Sequence, residues 1–188
     1  MAEINQAPVR IYVLSGSMYG HSRILGEAVA AGAAEAENTE VIFRDVDEIE
    51  PEQLRSADGI IWGCGGVFGE PNSKMTAFFS RLGKLWATGA LQGKVGGVFG
   101  TNSMVHYGLE NLLRSLQTPM QHQGMIIVTN CGQLTPERVQ YGCPYGAGAS
   151  IPSETSREAP INHPRQEELE FAREYGRKVA EVASRLKS

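Results

Sequence analysis

"VRIYVLSGSMYGHSRILGEAVAAGAAEAE", residues 9–37, changes character twice. Val9–Leu14 is an apolar run of branched and aromatic residues, the pattern of a strand buried on both faces. From Ser22 to Glu37 alanine, leucine and valine recur at helical spacing. Between them lies "SGSMYGHS", residues 15–22, made of glycine and small hydroxyl residues with hardly a charge. Loops usually spend their positions on solvated charge, so this one reads as built to hold something. Strand, glycine turn and helix in that order open a βαβ unit.

The unit recurs along the chain. Further β-rich runs cover Glu40–Asp45, Gly59–Gly63, Gly96–Gly100 and Met125–Thr129. Helical periodicity covers Ser22–Glu37, Asn72–Trp86, Gly108–Gln123 and Pro164–Lys187, with one turn near Pro51–Arg55. In the last helix Leu169, Ala172, Tyr175, Val179, Val182 and Leu186 make one apolar face. Buried strands alternating with helices predict an α/β fold with a parallel sheet covered on both sides. Five units predict a doubly wound sheet in the order 2-1-3-4-5, one domain over residues 1–188, with ligand at the carboxyl ends of the strands. The stretch after the fifth run, residues 131–164, is too long for a bare connection and is expected to cover something.

Composition narrows the function. The 188 residues carry a formal charge of −4 and no lysine–arginine block, which argues against nucleic acid or anionic membrane as the main partner. The opening "MAEINQAPVR" lacks the apolar core of a signal peptide, and no segment approaches a membrane span. A cytoplasmic protein is the expectation. Cys64, Cys131 and Cys143 show no CxxC spacing, so neither a disulfide framework nor a metal site is expected. Cys64 and Cys131 follow strands three and five and read as buried structural thiols.

Where strand one meets helix one, free amides and the helix dipole attract an anion. Ser17, Tyr19 and Ser22 add hydroxyls, and Gly20 lets the backbone curl close. A Walker loop is excluded because no lysine is present, and a GxGxxG fingerprint because Gly16 and Gly20 are spaced too far apart. The pattern [ST]-x-x-G-x-[ST], from Ser17 through Met18, Tyr19, Gly20 and His21 to Ser22, does fit and cradles a monophosphate without lysine. The plainer reading is a strand-to-helix turn with serine as N-cap.

The strings "SMYGHS", "GKLWATGALQGKVGGVF", "QHQGMIIV", "CPYGA" and "RQEELEFAREYGRKVAEVASRL" together resemble the WrbA-type NAD(P)H:quinone oxidoreductases, a branch of the flavodoxin-like flavoproteins. The resemblance implies FMN as cofactor, NADH or NADPH as reductant, quinones as acceptors and a homotetramer. It places the FMN phosphate on residues 17–22 and the remaining flavin contacts on the loops after strands three and four. In the first of these, Gly66, Val67, Phe68 and Gly69 are the candidates. Phe68 and Gly69 match the family, but Gly65, Gly66 and Val67 stand where it usually has proline, threonine and arginine. In the second, Thr101, Asn102 and Ser103 keep the family's polar character. There Met104, Val105, His106 and Tyr107 add bulk, and a ring of His106 or Tyr107 could stack on the flavin.

Trp86 ends the third helix and His122 precedes the fifth strand, so both belong at the amino end of the sheet, opposite their own flavin. The matching family positions line the pocket over the flavin. Both statements hold together if a neighbouring subunit supplies Trp86 and His122. Taken alone, Trp86 reads as core packing and His122 as a polar helix end suited to the dipole. Two other functions fit the same loop: a one-electron carrier of this fold, and a flavin-binding regulatory protein with weakened affinity. The residues leave open which nicotinamide and which quinone are used.

Overall fold

The structure is a computed structural model describing residues 7–151 and 163–187. In chain order the strands and helices are β1 (Val9–Gly16), α1 (His21–Ala33), β2 (Thr39–Asp45), β3 (Gly59–Val67), β4 (Glu70–Pro71), α2 (Ser73–Ser80), α3 (Gly83–Ala87), β5 (Val95–Asn102), α4 (Leu109–His122), β6 (Ile126–Ile127), α5 (Pro136–Tyr141), β7 (Ala147–Ser150) and α6 (Gln166–Lys187), with a 3-10 turn over Pro51–Ser56. The parallel sheet runs β2-β1-β3-β5-β6, the expected order once the short hairpin strand β4 is set aside. That hairpin pairs Gly66 with Pro71 and Val67 with Glu70 in antiparallel fashion.

Two of the expected elements are corrected. The segment 72–86, read as one helix, is two, because the chain turns at Arg81 and Leu82 so that Leu82 and Leu85 both reach the core. The fifth strand, read as Met125–Thr129, keeps ladder pairing only at Ile126 and Ile127, opposite Val95 and Gly96. The chain then leaves the sheet, forms α5 and returns as β7 opposite Phe99–Asn102. One sheet position is thus shared by two short strands.

At the gap a side chain replaces the missing backbone partner. Tyr175 Oη accepts from Val98 N (3.1 Å) and donates to Val128 O (2.8 Å). Gly97 leaves room for it, since a Cβ there would lie 2.9 Å from Tyr175 Oη. Asn130 closes the neck of the excursion: its N–H reaches Pro144 O (2.9 Å) and its Nδ2 reaches Gly146 O (3.1 Å). Arg138 ties the excursion down, donating to Asn130 O (3.3 Å), pairing with Glu174 and lying 4.6 Å over the Phe171 ring.

Helices cover both faces. On one side Trp62, Phe78, Leu112 and Leu116 pack under α2, α3 and α4; on the other Leu25, Val29, Phe99 and Val179 pack under α1 and α6. The α1–α6 contact is backbone on backbone. A Cβ on Gly32 would lie 1.9 Å from Arg173 O, and one on Gly176 would lie 1.9 Å from Val29 O. This leaves the carboxyl edge of the sheet to loops alone.

Candidate flavin site

Three loops meet at that edge. The first joins β1 to α1. Gly20 is the N-cap of α1 with φ of +93°, and nothing lies within 4 Å of where its Cβ would stand. The conformation, not crowding, calls for glycine here. Gly20 N donates to Ser17 Oγ (3.0 Å), which shapes the turn. No side chain caps α1 and no acidic residue sits in its first turn. The helix end therefore presents N–H groups and partial positive charge to whatever occupies the loop. Serine is not the cap: Ser22 is buried one residue inside the helix, and His21 begins it. Met18 and Tyr19 are exposed.

The second loop follows β3. Phe68 has φ of +52° and its ring is fully exposed, while Gly69 has φ of +81°. A bulky residue in the left-handed region is strained, and such strain gathers at functional sites. The third loop follows β5, where Thr101 is buried, Ser103 is exposed and His106 has φ of +64°. The two loops touch where both are glycine: a Cβ on Gly108 would lie 2.9 Å from Gly69 Cα. Asn111 fastens them, its Nδ2 donating to Gly69 O (2.9 Å) and Glu70 Oε1 (2.8 Å).

The loop residues expected from sequence thus share one edge: Ser17–Ser22, Gly66–Gly69 and Thr101–Tyr107. Reading the sequence missed the residues that hold the loops. Buried Asn72 donates from Nδ2 to Gly16 O (2.8 Å) and accepts Met75 N (3.0 Å) at its Oδ1, so one side chain caps α2 and pins the first loop to the second. The cap was readable from an asparagine ahead of a helix; the long-range bond had no local signal. Asn102 Oδ1 accepts from Ser150 Oγ (3.0 Å), and its buried Nδ2 has no partner among the described residues. Ser15 Oγ, near the end of β1, is likewise buried and without a partner among the described residues.

Trp86 and His122 lie elsewhere. Both are exposed, Trp86 on α3 and His122 at the last residue of α4. Their segments adjoin at the amino edge, where Gly93 N reaches Gly124 O (2.9 Å) and Ile126 N reaches Lys94 O (2.9 Å). The length of β5 separates this edge from the loops, about 23 Å at ~3.3 Å per residue.

The cysteines stand apart from this chemistry. Burial pushes the Cys64 and Cys143 thiols up to about 11, so both stay protonated. Cys131, expected to be buried, is exposed, because the chain leaves the sheet before reaching it. It borders a cleft of about 400 Å³ with Glu174, Arg177 and Lys178. Lys178 is spent there on Thr129 O (2.9 Å) and Cys131 O (3.0 Å). Among the described residues no group of histidines, cysteines and carboxylates could hold a metal ion.

The edge fits an anionic, planar ligand: an uncapped helix start with an open glycine beside it, two orphan polar groups, and exposed aromatic and apolar side chains on the facing loops. The flavodoxin family model matches residues 13–159. The chain belongs to the flavodoxin family. It is 36% identical to the NAD(P)H dehydrogenase (quinone) of Bradyrhizobium diazoefficiens over 94% of this chain and 98% of that protein. It is 37% identical to the protein of the same name from Caulobacter vibrioides, again over 94% and 98%. Among solved structures, a flavodoxin, WrbA-like protein from Agrobacterium tumefaciens superposes with a TM-score of 0.71 at 26% identity, covering 94% of this chain and 98% of that one. A flavodoxin from the domain Archaea shares the fold at a TM-score of 0.67 and 18% identity. No helix among the described residues is long and apolar enough to cross a membrane.

Proposed function

We propose that the protein is an FMN-dependent NAD(P)H:quinone oxidoreductase. The observation that carries the reading is the start of α1, left without a side-chain cap or an acidic residue beside the open Gly20 turn. The names of the relatives supply the reaction. Ser17, Met18, Tyr19, Gly20, His21 and Ser22 hold the phosphate through backbone N–H groups and hydroxyls. Held there, FMN would supply the chemistry that links hydride transfer from the nicotinamide to two-electron reduction of a quinone. Gly66, Val67, Phe68 and Gly69 line one side of the ring slot. Thr101, Asn102, Ser103, His106 and Tyr107 line the other. Exposed Phe68 and Tyr107 supply flat apolar surface that excludes water from the reacting faces.

Trp86 and His122 complete the slot from a neighbouring subunit, in a homo-oligomer that we take to be a tetramer. Their exposure, and the strand length between them and their own loops, support that role. An FMN-loaded monomer that is fully active would exclude it. For the reaction itself, the visible spectrum of purified protein is recorded before and after FMN, then after anaerobic NADH or NADPH and benzoquinone. Flavin bleaching by nucleotide and recovery on quinone are expected; a bound flavin that neither nucleotide bleaches overturns the reading.

A further inference from the structure

The excursion between β6 and β7 begins and ends at a cysteine. Cys131 opens it and Cys143 closes it, twelve residues apart in the sequence. The fold brings the two to one neck. Asn130 N donates to Pro144 O (2.9 Å) and Asn130 Nδ2 to Gly146 O (3.1 Å), so the outgoing and returning chains lie side by side there. The cysteines stand one residue beyond the first of these bonds, one on each chain. In an antiparallel pair, residues so placed face each other at about 4.5 Å between Cα atoms, and a disulfide spans about 4.4–6.8 Å. One residue further out the neck widens around Arg138. A Cβ on Gly132 would lie 3.1 Å from Arg138 Cζ, and one on Gly142 would lie 2.8 Å from Arg138 Cγ.

The two thiols are unlike. Cys131 is exposed at the cleft bordered by Glu174, Arg177 and Lys178. Cys143 is buried, and a Cβ on Gly148 would lie 3.4 Å from its own Cβ. Burial first, then the nearby charges of Glu110 and Cys131, push the Cys143 thiol up to about 11. The exposed thiol is the one that meets an oxidant from solvent, and a protected thiol beside it resolves the product. Joining them requires Cys131 to swing inward, and the excursion can yield, because α5 buries none of its residues.

We propose that Cys131 and Cys143 form a reversible disulfide, a redox clasp that shuts the neck of the excursion when the protein meets hydrogen peroxide. The Cys131 thiolate attacks one peroxide oxygen and the O–O bond breaks. The other oxygen leaves as hydroxide and takes up the proton that Cys131 gave. The Cys143 sulfur then displaces the hydroxyl of the Cys131 sulfenic acid, which leaves with the Cys143 proton as a second water. Two thiols lose two electrons and one peroxide gains them. A dithiol reductant reverses the bond by thiol–disulfide exchange.

For the test, the full chain as purified is treated with hydrogen peroxide, its remaining thiols are alkylated, and it is digested unreduced for mass spectrometry. A Cys131–Cys143 peptide pair, lighter by two hydrogens and split by dithiothreitol, is expected. Cys64, buried on β3 on the far side of β5, should remain a thiol. Hydrogen exchange at residues 136–142 should slow about tenfold or more in the oxidised protein, since a closed neck restricts the open states of the excursion. Cys131→Ser, at an exposed position, should abolish both the link and the slowing. Cys143→Ser should leave a sulfenic acid on Cys131 that dimedone traps. Cys131 overoxidised, or linked to a second chain, while Cys143 stays a free thiol would overturn the proposal. A linked pair that leaves the exchange unchanged overturns the clasp as well. Neither readout involves flavin or nucleotide, so failure here leaves the oxidoreductase reading intact.

Discussion

Two helix starts in this protein face the same electrostatic problem and solve it in opposite ways. At α6 the chain supplies its own anion. Buried Glu168 accepts Arg165 N (2.8 Å), which closes the helix start, and Ser150 N (2.9 Å), which ties the helix to the end of β7. Burial raises the Glu168 pKa above the ordinary glutamate range despite both N–H bonds and nearby Arg165. At α1 no side chain caps the helix and no acid stands in its first turn. A helix end satisfied from within is a structural joint. The α1 start, left open beside a glycine turn and without the acidic residue that α4 carries in its first turn, is where we propose that the ligand binds, and the difference is visible in which residues the sequence withholds.

Putting an internal anion at α1 should break the contrast most severely. Gly20→Asp places a carboxylate where the phosphate is to sit, on a backbone with φ of +93°. We expect FMN affinity, measured by quenching of flavin fluorescence, to fall about 100-fold or more from charge repulsion and strain together. FMN at a hundred times the wild-type Kd should then no longer raise the melting point by the equivalent of about 2.7 kcal/mol. Gly20→Ala, which keeps the strain but adds no charge, separates the two causes.

Removing the anion at α6 tests the other half. Glu168→Gln leaves one backbone N–H facing an amide that cannot accept it, at a cost of about 1–3 kcal/mol in chemical denaturation. FMN affinity should stay within about twofold, well under the 1.4 kcal/mol of a tenfold change. The pH dependence has a definite sign. Because its folded pKa is raised, Glu168 binds its proton more tightly in the folded chain than in the unfolded one. Its contribution is full below the ordinary glutamate range and is lost as pH rises through the raised value. The glutamine variant should lack that decline, and an equal slope in both proteins would refute the assignment.

The same contrast explains what could be read from sequence. Residues 9–37 declare strand, open turn and helix because local pattern alone fixes them, and Gly20 needs no partner to be recognised. Parallel order followed from repeated strand–helix units, each dictated by burial on both faces. The broken fifth strand did not. Met125–Thr129 has full strand character, and only Tyr175, 47 residues beyond Val128, replaces the ladder there. Asn72 and Asn111 escaped for the same cause, since their bonds span 56 and 42 residues. Side chains that bridge loops leave no periodic trace. The exposed Cys131 was misread because its burial depended on a strand that ends early.

Smaller effects sharpen the comparison where a single hydroxyl is at stake. Ser17→Ala removes the acceptor of Gly20 N and, on the proposed reading, one donor to the phosphate. FMN affinity should drop about tenfold, or 1.4 kcal/mol, with the melting point of the FMN-free protein almost unchanged. At α5 a serine-like cap works for the fold alone: Thr135 Oγ1 accepts Arg138 N (3.2 Å) on a helix that follows the excursion from the sheet. Thr135→Ala should cost about 1 kcal/mol or less, because the short helix buries no residue and frays locally. Hydrogen exchange should quicken at the Pro136–Tyr141 amides while flavin affinity holds. If Thr135→Ala instead weakened FMN as much as Ser17→Ala, the two hydroxyls would be serving one network. The division between a helix end closed for structure and one held open for a ligand would then be wrong.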